Sequence, residues 1–181
     1  MKLRTKELIL CALFCALTAV GAQLTIPIPY GAITLQLLFM LLAGLMLPPL
    51  MSFLSMAVYV LLGLVGAPVF AGFSSITSPT FGFVIGLALS APLISVLFRA
   101  LKKRWKLFPA ALVAGLAGIL VTYLCGAVYG YFVMTLVLTK EVTLWFILWN
   151  WCLIYLPFDA AKLLAAAAIT PALFKRIPGL R

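Results

Sequence analysis

No Asp, Glu, Lys, Arg or His occurs between Leu107 and Leu136, and a helix over that run would be about 45 Å long. Backbone in hydrocarbon has no water to bond to, so a run of this kind spans a membrane as a helix, about 20 residues covering roughly 30 Å. Similar apolar runs predict further helices, giving in order about Leu8–Leu24, Thr34–Leu47, Pro49–Val65, Phe81–Phe98, Leu107–Leu136 and Pro157–Phe174. The second is short and joins the third through Pro48 and Pro49, which hold the preceding backbone extended and make a tight turn. Hydrophobic residues are 66% of the 181-residue chain and charged ones 9%, with a mean hydropathy of +1.28, against roughly 45–50% apolar in soluble domains. The expectation is an all-α, polytopic membrane protein of six transmembrane helices, one domain over residues 1–181 with no linker or low-complexity segment.

Charge orients that bundle, because cytoplasmic loops are enriched in Lys and Arg. Lys2, Arg4 and Lys6 form one cluster; Arg99, Lys102, Lys103, Arg104 and Lys106 a second; Lys175, Arg176 and Arg181 a third. All three share one side only if an even number of spans separates each from the next, which six helices with both termini cytoplasmic provide. The connections "TIPIPYGAI" (25–33), "GAPVFAGFSSITSP" (66–79) and 137–156 then face outward, and Lys140 beside Glu141 is their one basic residue. The net charge of +10 therefore reads as a topology signal, not a nucleic-acid surface. The basic start followed by "VGA" at Val20–Ala22 resembles a signal peptide, but cleaving it would spoil the even number of spans.

Several chemistries are excluded. The chain has no histidine, and Cys11, Cys15, Cys125 and Cys152 lie in apolar runs without metal-ligand spacing, so no zinc or haem site is expected. It also lacks the G-x-x-x-x-G-K-S/T loop that cradles nucleotide phosphates, so ATP-driven work belongs to other subunits.

The exception to the apolar pattern is "YLPFDAAKLL" (155–164). From Thr143 to Phe174 the sequence would make a helix of about 48 Å, too long for the membrane. Pro157 breaks it, since proline is favoured in a first helical turn. Asp159 then sits in that first turn, where the positive helix end favours a carboxylate, and Lys162 follows at i+3 on the same face. The pair falls near the outer end of the span, about 22–24 Å above Lys175. The preceding segment, with Trp145, Trp149 and Trp151, reads as an outer half-helix or lid at the depth tryptophan favours. An ionisable pair inside a span either serves a site facing protein or water, or locks helices as a buried salt bridge. The nearby loops add Tyr30, Thr34, Gln36, Phe70, Phe73, Ser74, Ser75, Thr77, Ser78 and Thr80, with Asn150 in the aromatic segment. Apolar walls with a few placed polar groups suit an amphipathic small molecule.

Four ordered motifs, "IPIPYGAITLQ" (26–36), "GLVGAPVFAGF" (63–73), "SPTFGFVIG" (78–86) and "LPFDAAKLLAAAA" (156–168), carry a resemblance. From Leu8 to about Phe174 the chain resembles the biotin-binding S components of energy-coupling factor (ECF) transporters, the BioY family. The resemblance implies a six-helix subunit of a prokaryotic cell membrane that captures biotin outside, without a cofactor or catalysis. It works with a transmembrane coupling subunit and two ATPase subunits, against which it tilts to release its cargo inside. It further implies that Asp159 and Lys162 hold a polar end of the ligand, with Gln36 and the 72–80 loop nearby. Ala12 and Ala16, an A-x-x-x-A pattern on the first helix, become the face for the coupling subunit, although small-xxx-small spacing also packs helices within one bundle. Three positions depart from the family's pattern: Ser78 stands for Gly, Phe83 for Tyr and Phe158 for Gly, and the second outer loop is compressed. Another vitamin of the same architecture, a structural subunit with the pair as a salt bridge, and an intramembrane enzyme are the competing readings. The last has only Asp159–Lys162 to work with, since the chain contains three acidic residues.

Overall fold

The computed structural model describes residues 5–28, 31–71 and 76–176. Seven α-helices and one hairpin follow in order: α1 Thr5–Gln23, β1 Thr25–Ile28, β2 Gly31–Thr34, α2 Gln36–Met46, α3 Pro49–Leu64, α4 Phe81–Leu101, α5 Leu107–Phe132, α6 Leu144–Leu148 and α7 Leu156–Arg176. A π-helical turn, Val133–Val137, extends α5, and another, Trp149–Leu153, extends α6. Thr5–Gln23, Phe81–Leu101, Leu107–Val137 and Leu156–Arg176 are each long and apolar enough to cross a membrane. The chain is thus a mostly helical membrane protein. α2, with 11 residues, is about 16 Å long and too short to cross on its own.

The helix boundaries follow local chemistry. Pro48 carries the extended backbone that separates α2 from α3, and Pro49 occupies the first turn of α3, where a missing N–H is harmless. α7 begins at Leu156 with Pro157 and Asp159 in its first turn and Lys175 and Arg176 in its last, charges that match both ends of the helix dipole.

One element corrects the all-α expectation. The segment read as an outward connection forms an antiparallel hairpin, pairing Thr25 with Thr34, Ile26 with Ile33, Pro27 with Ala32 and Ile28 with Gly31. Pro27 argues against an interior strand, but in a two-stranded ribbon its missing donor can point away from the partner.

α2 lies at the centre. Met40, Leu41, Ala43, Leu45 and Met46 are almost fully buried, and Met51, Met56, Tyr59, Ile94 and Phe98 close round them. A helix apolar on every side is one buried on every side. Small residues bring α4 and α5 together: a Cβ on Gly86 would fall 2.8 Å from Thr122 Cα. Without a hydrophobic drive in lipid, such close backbone approach is what van der Waals packing requires. Buried hydroxyls find backbone partners, as in Ser55 donating to Cys11 O at 2.8 Å and Ser95 to Leu47 O at 2.6 Å.

Candidate functional site

Asp159 and Lys162 meet on the first turns of α7, with Lys162 Nζ 2.7 Å from Asp159 Oδ1. Only 5% of Asp159 and 9% of Lys162 is exposed. A second helix joins them, for the Tyr123 hydroxyl on α5 donates to Asp159 Oδ2 at 2.7 Å. All three line a cavity of about 470 Å³, within the range of small-molecule sites, roughly 300–1,000 Å³.

The hairpin forms one wall. Thr25 and Pro27 alternate to one face, and their cross-strand partners Thr34 and Ala32 share it, as the two-residue period of strands dictates. Gln36 stands where α2 leaves the hairpin. Thr34 donates to its Oε1 at 2.9 Å, its Nε2 donates to the Tyr59 hydroxyl, and Tyr59 donates onward to Val69 O at 3.0 Å. The amide is therefore held between the hairpin and the connection from α3 to α4. Gln23 fastens that connection from α1, donating to Pro68 O at 2.9 Å and Phe70 O at 3.2 Å. Ser78 and Thr80, whose hydroxyls lie 2.9 Å apart, line the cavity from the same connection, and Tyr129 donates to Ile76 O just before them.

The aromatic segment splits by face. Trp145 and Trp149, one helical turn apart, are 65% and 52% exposed, whereas Trp151 is 3% exposed and lines the cavity with Tyr155 and Phe83. A Cβ on Gly130 would run into the Trp151 ring, so the bare backbone of α5 is what lets Trp151 turn inward.

Of the residues singled out from sequence, Thr34, Gln36, Ser78, Thr80, Asp159 and Lys162 converge on this cavity. Tyr30, Phe73, Ser74 and Ser75 lie outside the described residues. Asn150 does not join the lining: its side-chain amide donates to Phe146 O at 2.8 Å, beside a shallower cleft with Thr143, Trp145 and Trp149. Ala12 and Ala16 are exposed on α1, opposite Cys11, Phe14, Cys15 and Thr18, which are buried. Sequence reasoning missed Tyr123, although a phenol hydroxyl inside an uncharged span demands a partner and so is itself a signal. It also missed Trp151 and Tyr155 as lining, because which face of the aromatic segment turns inward depends on the π-helical turn.

The cavity combines an apolar, aromatic body with one anionic acceptor, one cationic donor and several hydroxyls. It suits a neutral or singly charged amphipathic molecule with both N–H or O–H donors and carbonyl or carboxylate acceptors.

Comparison with known proteins bears on the family and the fold. A sequence model of the BioY family matches residues 1–179. The probable biotin transporter BioY of Pyrococcus horikoshii is 44% identical over 68% of this chain and 74% of its own length. The biotin transporter BioY of Thermotoga maritima is 35% identical over 91% of this chain and 93% of its own. The crystal structure of an S-component for biotin from an ECF-type ABC transporter superposes with a TM-score of 0.82, covering 97% of this chain and 96% of that one. At 23% identity that last likeness is one of fold. The match along nearly the whole sequence, joined to the two biotin-transporter relatives, means that the chain belongs to the BioY family.

Proposed function

We propose that this chain is the substrate-capture component of an ECF-type vitamin transporter, binding biotin from outside and delivering it inward with ATP-driven partners. It is a transport protein, not an enzyme. The observation that carries the reading is the buried Asp159–Lys162 pair, which opens onto a cavity instead of being sealed between helices. Biotin has the matching chemistry. Its ureido group offers N–H donors and a carbonyl, its valerate ends in a carboxylate, and its thioether ring is apolar; Asp159 accepts, Lys162 donates, and Phe83, Trp151 and Tyr155 meet the ring system.

The finer topology is part of the proposal. Six spans with both termini cytoplasmic, in a prokaryotic plasma membrane, are supported by the basic residues at the ends of α4 and α7. Lys102 Nζ lies 5.8 Å from the Phe98 ring centre and 4.9 Å from that of Phe174, so these two basic ends adjoin. The exposed Ala12 and Ala16 on α1 support docking of a transmembrane coupling subunit there, which two ATPase subunits would drive.

The test is biotin titration of the purified, detergent-solubilised protein by calorimetry, with mass spectrometry of any co-purified ligand. Tight binding that Asp159→Asn and Lys162→Ala both abolish is the expected result. Another vitamin in place of biotin would trace specificity to Ser78, Phe83 and the shortened loop, and an empty protein that binds nothing would make the pair a structural salt bridge.

A further inference from the structure

We propose that Tyr123 is the positioning residue of this site: from a different helix, its hydroxyl fixes the Asp159 carboxylate in the orientation that receives a ligand donor. The inference rests on the ligand reading above for its binding test, though not for its spectroscopic one.

Asp159 and Lys162 share α7, so their bond alone ties the carboxylate only to its own helix. The terminal torsion of an aspartate is broad, and one donor on one oxygen leaves its plane free to turn. Tyr123 supplies a second donor on the other oxygen, so that Oδ1 and Oδ2 are held at 2.7 Å each, by Lys162 and Tyr123 respectively. A carboxylate has about four lone-pair sites; two remain for the cavity, now with a set direction. Lys162 likewise spends one of its three donors on Asp159 and keeps the others.

Tyr123 is itself held. Its neighbour Thr122 accepts from Ser90 at 2.8 Å while donating to Gly118 O at 3.0 Å, and Gly86 lies against the Thr122 backbone. Phe83 meets the Tyr123 ring edge-on, 6.3 Å between centres at 80°, and the Phe83 ring in turn occupies the space beside Gly126. Packing of this kind needs only a phenyl ring. The hydroxyl is the extra atom, and its donor goes to the carboxylate.

Tyr123→Phe removes that atom and keeps the ring. Hydrogen bonds to charged groups are worth about 1.5–3 kcal/mol, so biotin affinity should fall roughly ten- to a hundredfold. Unchanged affinity in Tyr123→Phe would overturn the proposal. A ligand-free readout is infrared spectroscopy. With three acidic residues in the chain, the Asp159 carboxylate stretch is identified as the band missing from Asp159→Asn. It should shift in Tyr123→Phe, and an unmoved band refutes the contact. Should that variant fail to fold, 3-fluorotyrosine at position 123 keeps ring and hydroxyl while strengthening the donor, and must move the same band. If the wild type binds neither biotin nor another vitamin, the ligand reading fails while the infrared result still decides the role of Tyr123.

Discussion

Lys162 and Asp159 make opposite demands on the bundle, one for binding and one for burial. Removing a single partner from a buried pair strands a charge and costs about 3–5 kcal/mol, whereas replacing both by apolar or neutral groups of similar shape is often neutral. Lys162→Ala is therefore expected to lower the thermal midpoint of the ligand-free protein markedly. Asp159→Asn combined with Lys162→Met should restore it to within a few degrees of wild type, yet bind no biotin. A double variant as unstable as Lys162→Ala would mean that the fold depends on the charged carboxylate itself, through its bond to Tyr123 on α5. These two residues were legible in the sequence because charge in an apolar run has no cheap explanation. Gln36 and Thr80 were legible as polar groups in connections otherwise apolar, and again through the resemblance of their motifs. Tyr123 was legible only in part: its hydroxyl in an uncharged span calls for a partner, but that the partner is a carboxylate 36 positions away depends on how α5 packs on α7.

At the scale of elements, proline and the length of apolar runs located the helices, since both act through the local backbone. The starts of α3, α4 and α5 fall at Pro49, Phe81 and Leu107, as expected from the sequence. The hairpin escaped notice because its strands are four residues each and contain Pro27, and because their pairing, not their composition, makes the wall. The inward turn of Trp151 escaped for a similar reason: the π-helical turn Trp149–Leu153 shifts the facing of side chains in a way no 3.6-residue pattern anticipates. Its partner on α5 gives a direct test. Gly130→Ala puts a methyl group where the Trp151 ring packs, and overpacking of this kind costs typically 1–3 kcal/mol. The expected outcome is biotin release about tenfold faster in a dissociation assay, as the displaced indole loosens the wall. Trp151→Phe in the same chain should recover most of the loss by making room. Faster release that the second substitution leaves unchanged would mean Gly130 acts elsewhere, for instance through Pro79 O, which also lies close.

For the whole molecule, the division between a basic end and a nearly uncharged end links folding to transport direction. Lys102 shows how tightly the basic end is built: burial, and secondarily the neighbouring Arg99, pull its ammonium below the usual lysine value, while the Phe98 and Phe174 rings offset part of that cost by cation–π attraction. In the proposed topology such an end lies in the cytoplasmic interface, and the cavity, formed by the hairpin, the connection between α3 and α4 and the first turns of α7, then opens to the opposite side. The proposal of capture from outside rests on this orientation. The orientation is testable by replacing the four native cysteines, which are free thiols, with serine and introducing single reporters at exposed positions. Lys103→Cys lies between α4 and α5, and Glu141→Cys lies between the end of α5 and α6. A membrane-impermeant maleimide added to intact cells is expected to label the second reporter alone, and inside-out vesicles the first alone. The reverse pattern would place the cavity on the cytoplasmic side, where a protein of this design could serve export but not uptake, and labelling of both from one side would break the even number of spans on which the orientation depends.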